Sequence, residues 1–360
     1  MSAASQLIFI GTYTPKDGAS RGIYAVRLDT VTGTLSEPEL AAETSNPTFL
    51  ALHPNGHVLY ALGETAPVQG KPGGGATAFQ LDPGTGHLTP LNTQSTGGIG
   101  CAHLGLDPAA TTLVLASYHG GQVTSFPLFR DGRIGPRASI AMLAGPLGPN
   151  KERQEKPHPH SVTFSPDSRF AYVCDLGLDR IFCYRLAPAA GTLTPAGGTA
   201  SAPEAGPRHS KFSPDGRYLY VINELNSTIA TYDCEPSTGA LAPKQVVSTL
   251  PDGFSGTSIC AEIRLHPNGR YVYGSNRGHD SLAVFARNPA DGTLARIQII
   301  PSGGGHPRNF ALSPDGVWLV CANRDSNNLV VFKVDPATGR LTATGHTATV
   351  PQAVCVLFSE

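Results

Sequence analysis

Along the chain, apolar runs of four to eight residues alternate with clusters of Gly, Pro, Asp and Asn, as in KFSPDGRYLYVINE at 211–224. Each such unit reads as strand, tight turn, strand, because Pro, Asp and Gly favour turn geometry and Tyr, Val and Ile favour pleated sheet. The unit recurs. HPNG at 53–56, DPAA at 107–110, SPDS at 165–168, SPDG at 213–216, HPNG at 266–269 and SPDG at 313–316 form one series. Their prolines, at 54, 108, 166, 214, 267 and 314, lie 54, 58, 48, 53 and 47 residues apart. A second series follows the hairpins: DTVTGTL at 29–35, DPGTGHL at 82–88, RDGRI at 130–134, PAAGTL at 188–193, PSTGAL at 236–241, PADGTL at 289–294 and PATGRL at 336–341. Four short strands in a period near 50 residues predict a β-propeller blade.

The count of six first turns against seven second turns is informative. LIFIGTY and GIYAVRLD near the start match the second and third strands of a unit, and VPQAVCVLF near the end matches a first strand. The predicted fold is therefore all-β: a seven-bladed propeller of four antiparallel strands per blade, occupying residues 1–360 as one domain. One blade is closed by both chain termini, with Ala353–Phe358 paired to Leu7–Gly11, which removes an exposed sheet edge.

Composition narrows the setting. Of 360 residues, 26 are basic and 27 acidic, so there is no charge footprint for nucleic acid or an anionic membrane. The seven cysteines form no CxxC pair. Cys174, Cys183, Cys321 and Cys355 sit in apolar runs, as expected of small buried hydrophobes in a reducing compartment. MSAASQLIFIGTY has neither the basic start of a signal peptide nor the length of a membrane span, so a cytoplasmic location is expected.

Alignment on the turn proline exposes the chemistry. Two residues before it stand Leu52, Leu106, Phe164, Phe212, Leu265 and Leu312, a uniformly apolar column. Six before it stand Thr48, Ala102, His160, Arg208, Ala261 and Arg308; five before it, Phe49, His103, Ser161, His209, Glu262 and Asn309. Nine after it stand Gly63, Ser117, Asp175, Asn223, Asn276 and Asn323; ten after it, Glu64, Tyr118, Leu176, Glu224, Arg277 and Arg324. The order of strands puts these last four columns at one mouth of the channel. Variation between blades there is what an asymmetric polar pocket requires. The simpler account of any one of them is structural, since Asn and Asp at strand ends often only satisfy the backbone.

PHPHSVTFSPD, GPRHSKFSPDGRYLYVINE, AEIRLHPNGRYVYGSNRGHDS and GHPRNFALSPDG resemble the seven-bladed propeller lactonase family over essentially the whole chain. That resemblance implies a hydrolase opening a sugar lactone, 6-phospho-D-glucono-1,5-lactone first. The same family includes carboxy-cis,cis-muconate lactonizing enzymes, so a cycloisomerase is the alternative. A non-catalytic ligand- or protein-binding propeller is the other; the single Trp, Trp318, excludes a WD-type pattern. Lactone opening needs an activated water, a stabilised oxyanion and a held substrate. Glu224 or His209 is the expected base, with Arg208 and Arg277 near the developing charge. His160, His279, Asn223, Asn276 and Glu262 are expected to orient substrate or water, and Arg308 and Arg324 to grip a phosphate or carboxylate. No GxSxG motif is present, which favours direct attack by water over an acyl-enzyme.

No cofactor is expected. Other propeller lactonases use calcium, for which Glu and Asn oxygens and the His158–His160 pair offer ligands, but several Arg at the same mouth disfavour a divalent cation. GPLGPNKERQEKPHPH at 145–160 is the longest connection and the most charged, placed to cover the pocket unless its Lys151, Arg153 and Lys156 are plain solvated charge. The expected partner is a small-molecule sugar lactone, with no nucleic acid or membrane, and the expected state a monomer or weak homodimer.

Overall fold

In the computed structural model, which describes residues 5–66, 68, 73–188 and 190–359, the strands β1 to β28 form seven four-stranded antiparallel sheets. No helix occurs among the described residues, and hence none long and apolar enough to cross a membrane. The innermost strands are β4 (Leu50–Leu52), β8 (Cys101–Leu106), β12 (Pro159–Phe164), β16 (Pro207–Phe212), β20 (Ile259–Leu265), β24 (Pro307–Leu312) and β28 (Ala353–Phe358). Each touches the next in a closed ring around the channel. The seventh blade has the order β28, β1 (Ser5–Thr12), β2 (Gly22–Asp29), β3 (Glu39–Glu43). Ile8 faces Phe358 and Ile10 faces Val356, so the two chain ends close the ring as the turn count predicts.

Apolar side chains from neighbouring sheets fill the gaps between blades. Tyrosines fasten one blade to the next. The hydroxyls of Tyr60, Tyr172, Tyr220 and Tyr273 donate to the carbonyls of Gly132, Gly239, Gly292 and Gly339 at 2.8–3.0 Å. All four tyrosines stand six residues after the first-turn proline, and each acceptor belongs to the second turn of the following blade.

A distortion at the start of the inner strands positions the site. Pro159 pairs with Asp175 and Ser161 with Cys174, leaving His160 as the extra residue of a β-bulge. Arg208 is likewise skipped between Pro207 and His209, and Arg308 between Pro307 and Asn309. A bulge leaves its extra residue out of the ladder and re-aims it. It turns the column six residues before the proline toward the channel mouth.

Candidate active site

Glu224, just past β17 (Tyr218–Asn223), is the hub of that mouth. Its Oε2 accepts from Arg208 Nε at 2.9 Å and lies 3.1 Å from Arg277 Nη2. Its Oε1 accepts from Arg153 Nη2 at 2.6 Å. Burial alone would raise the Glu224 carboxyl, but Arg277, Arg208, His160 and Arg153 override it and hold the group well below the usual carboxylate range. A carboxylate held so firmly as an anion is a poor proton acceptor.

His209 is no freer. Its Nε2 lies 3.2 Å from Arg208 Nη1, which can only donate, so the ring proton sits on Nδ1 and points to Glu262 Oε2 at 3.2 Å. Burial, then Arg208 and the basic groups beyond it, keep the ring neutral. His160 is different. It is also buried and held neutral by burial and by Arg208, yet its Nδ1 has no hydrogen-bond partner among the described residues. Its Nε2 stands 3.9 Å from Glu224 Oε2.

A cavity of about 280 Å³ opens above this cluster, lined by Glu64, Tyr118, His119, Arg153, His160, Glu224, Arg277, Arg308 and Tyr13. Arg277 Nε has no partner, and Arg308 donates only to the Tyr13 hydroxyl, at 3.0 Å, among the described residues. Four guanidinium groups therefore stand around Glu224, with Glu64 the only other carboxylate on the cavity wall. The excess of positive charge suits an anionic substrate. A wider groove of about 440 Å³ elsewhere has Arg27 and Asp315 as its only ionisable lining side chains among the described residues.

The structure brings His160, Glu224, Arg277 and Arg308 together on this wall, with Arg208 directly behind Glu224 and His209 behind Arg208. Five expected residues lie elsewhere. Glu262 is buried below the pocket, accepting from His209, Asn309 and the Ile263 amide. Asn223 donates to Thr228 Oγ1, and Asn276 to Thr249 O and Ser281 Oγ, so both tie strand ends. His279 bonds Ser281 Oγ at 2.7 Å and packs edge-on against Phe254. Arg324 is taken by Asp325 at 2.7 Å. In the other direction, Glu64, Tyr118 and Tyr13 join the wall from ends of second strands, the position that Glu224 and Arg277 occupy in their own blades.

Arg153 carried no such register signal, because it comes from the connection at 145–160. That segment crosses the mouth as a strap. Gln154 Nε2 donates to Leu176 O at 2.8 Å, and His158 stacks on Tyr118 with ring centroids 4.2 Å apart. His158 spends both ring nitrogens, on Tyr118 O and Glu155 Oε2 at 3.0 Å each, so it anchors the strap and forms no chelate with His160. Among the described residues no three His, Cys, Asp or Glu side chains gather as a metal ligand set. The site's carboxylate is already saturated by guanidinium groups, a poor fit to calcium.

The family described as "Lactonase, 7-bladed beta-propeller" matches residues 7–358. The chain belongs to the seven-bladed β-propeller lactonases. Among these lactonases it is 41% identical over 350 residues to the 6-phosphogluconolactonase of Bacillus subtilis strain 168, covering 97% of both chains. It is 33% identical to the 6-phosphogluconolactonase of Formosa agariphila, covering 85% of this chain and 86% of that one. The periplasmic gluconolactonase of Pseudomonas aeruginosa superposes with a TM-score of 0.91 at 31% identity, covering 99% of each chain.

Proposed function

We propose that this propeller hydrolyses 6-phospho-D-glucono-1,5-lactone to 6-phosphogluconate by direct attack of water, as a step of the pentose phosphate pathway. The observation that carries the reading is the meeting, within one cavity, of a neutral imidazole with more guanidinium groups than carboxylates, in a chain closely related to 6-phosphogluconolactonases. His160 takes a proton as the water oxygen bonds to the lactone carbonyl carbon. Glu224, beside it, offsets the positive charge that the imidazolium acquires. The carbonyl oxygen becomes an oxyanion facing Arg277. Collapse of the tetrahedral intermediate breaks the bond to the ring oxygen, which takes the proton back from His160. Arg308, and Arg153 at the strap, meet the phosphate.

The test is hydrolysis of phosphorylated and unphosphorylated gluconolactone, measured against the spontaneous reaction of each. The phosphorylated lactone should be preferred through a lower KM. No excess hydrolysis of either lactone, or turnover of a carboxymuconate instead, overturns the reading.

A further inference from the structure

The opposite mouth of the channel contains a second cavity, of about 340 Å³, whose lining combines the apolar Phe49, Leu106, Phe164 and Leu357 with His103, Thr163 and two cations, Lys211 and Arg264. Among the described residues no carboxylate lines it. Lys211 on β16 and Arg264 on β20 hold the same register, three residues before Pro214 and Pro267. Four other blades have Ala51, Gly105, Thr163 and Ala311 at that register, so only adjacent blades place charge there.

A purely structural cation would have a partner. Arg264 has some: its Nε donates to Phe310 O at 3.1 Å and its Nη2 lies 3.5 Å from Glu262 Oε2. The Lys211 ammonium has no hydrogen bond or ion pair among the described residues. Arg264 repels it, and Glu262 compensates in part. Burial, then Arg264, push it down to about 8, the behaviour of a cation short of an anion. Both side chains remain partly exposed, and because two like charges facing one cavity repel, an anion placed between them is favoured.

We propose that this mouth binds a small organic carboxylate with an apolar body, its carboxylate between Lys211 and Arg264 and its body against Phe49 and Phe164. A monoanion fits because Glu262 already offsets one of the two cations. The apolar walls disfavour inorganic phosphate or a polyhydroxylated sugar acid, which separates this site from the polar pocket at the other mouth. The two mouths are joined by one chain of contacts: an ion pair from Arg264 to Glu262, then hydrogen bonds between Glu262 and His209, His209 and Arg208, and Arg208 and Glu224. A carboxylate that draws on Arg264 acts on the first member of that chain.

Calorimetric titration of the full chain with benzoate tests the proposal. One molecule should bind per chain with a Kd of about 1 mM or tighter. Lys211→Met should weaken binding about tenfold or more, since a charge-assisted hydrogen bond contributes that much. Benzyl alcohol should bind comparably weakly to wild type. Arg308→Gln should leave benzoate binding unchanged. In wild-type protein, benzoate should also slow acetylation of Lys211 by acetic anhydride, read by mass spectrometry, without slowing other lysines. This second measurement does not depend on how a variant folds. Absence of saturable binding up to about 10 mM overturns the proposal. So does affinity indifferent to Lys211→Met, or binding lost in Arg308→Gln, which would assign the benzoate to the catalytic pocket.

Discussion

Guanidinium groups engage both carboxylate oxygens of Glu224, and in the proposed mechanism it is therefore not the base. Three donors that hold a carboxylate ionised lower its affinity for a further proton. His160 also has a lowered proton affinity, but one of its ring nitrogens has no partner among the described residues, and on the proposed mechanism its loss should mark the chemical step. His160→Gln should lower kcat by roughly 10²–10⁴ with KM little changed, as expected of a general base; full retention of kcat would return the role to another group. Because burial and Arg208 hold His160 neutral well below its ordinary range, the acid limb of the kcat/KM profile should fall below the ordinary imidazole value of about 6.5. A limb centred near pH 7 would contradict that. Arg308→Gln should raise KM for the phosphorylated lactone and leave the unphosphorylated one nearly unchanged; equal effects on both would remove the phosphate from Arg308. The sequence columns named His160, Glu224, Arg277 and Arg308. They did not rank them, because protonation depends on which neighbour occupies which lone pair. They also included Asn223 and Asn276, since strand-end asparagines that tie backbone look the same in sequence as those that meet a ligand.

Strands and turns were far more legible. Every first-turn proline and every second-turn glycine falls where a hairpin needs it, so blade number and strand order followed from spacing alone. The bulges were not legible, because an extra residue in one strand leaves no mark on a two-residue alternation. The strap at 145–160 was legible only as length and charge, since a connection has no register against which Arg153 could be placed. The first turns also offer a direct test of local geometry. Gly216 takes φ 69° at the fourth position of SPDG, whereas Ser168 takes φ 58° at the same position of SPDS. A left-handed backbone costs a non-glycine residue roughly 1–2 kcal/mol, partly offset by the greater freedom of glycine in the unfolded chain. Ser168→Gly should therefore stabilise by about 0.5–1 kcal/mol, and Gly216→Ala should destabilise by about 1 kcal/mol or more. Urea midpoints for both variants check this; a stabilising Gly216→Ala would refute the reading of the turn.

At the scale of the whole ring, the channel concentrates histidines that rest neutral. His103, His160 and His209 are all buried around it and all held neutral, by burial first and by neighbouring basic groups after it. In the unfolded chain each would protonate near pH 6.5. Their folded-state values lie lower, so stability is complete above about pH 6.5 and is lost as pH falls below it. Each fully uncompensated histidine contributes a slope of about 1.4 kcal/mol per pH unit, so three give roughly 4 kcal/mol per unit. Glu224 adds a loss of the same sign below about pH 4.5, where the unfolded chain's carboxyl protonates while the folded one stays ionised. Denaturant midpoints between pH 7.5 and 5.5 should fall steeply, and a flat profile would show that the channel admits protons without unfolding. The seventh blade carries a different consequence, one of timing. β1 is made first, but its partner β28 begins at residue 353. At roughly 5–20 residues per second, a growing chain holds the apolar edge of Ile8 and Ile10 unpaired for some tens of seconds. Throughout synthesis, this protein presents a strand that any other emerging β-edge could capture. The joint that seals the finished ring is thus also its window of exposure to aggregation on the ribosome.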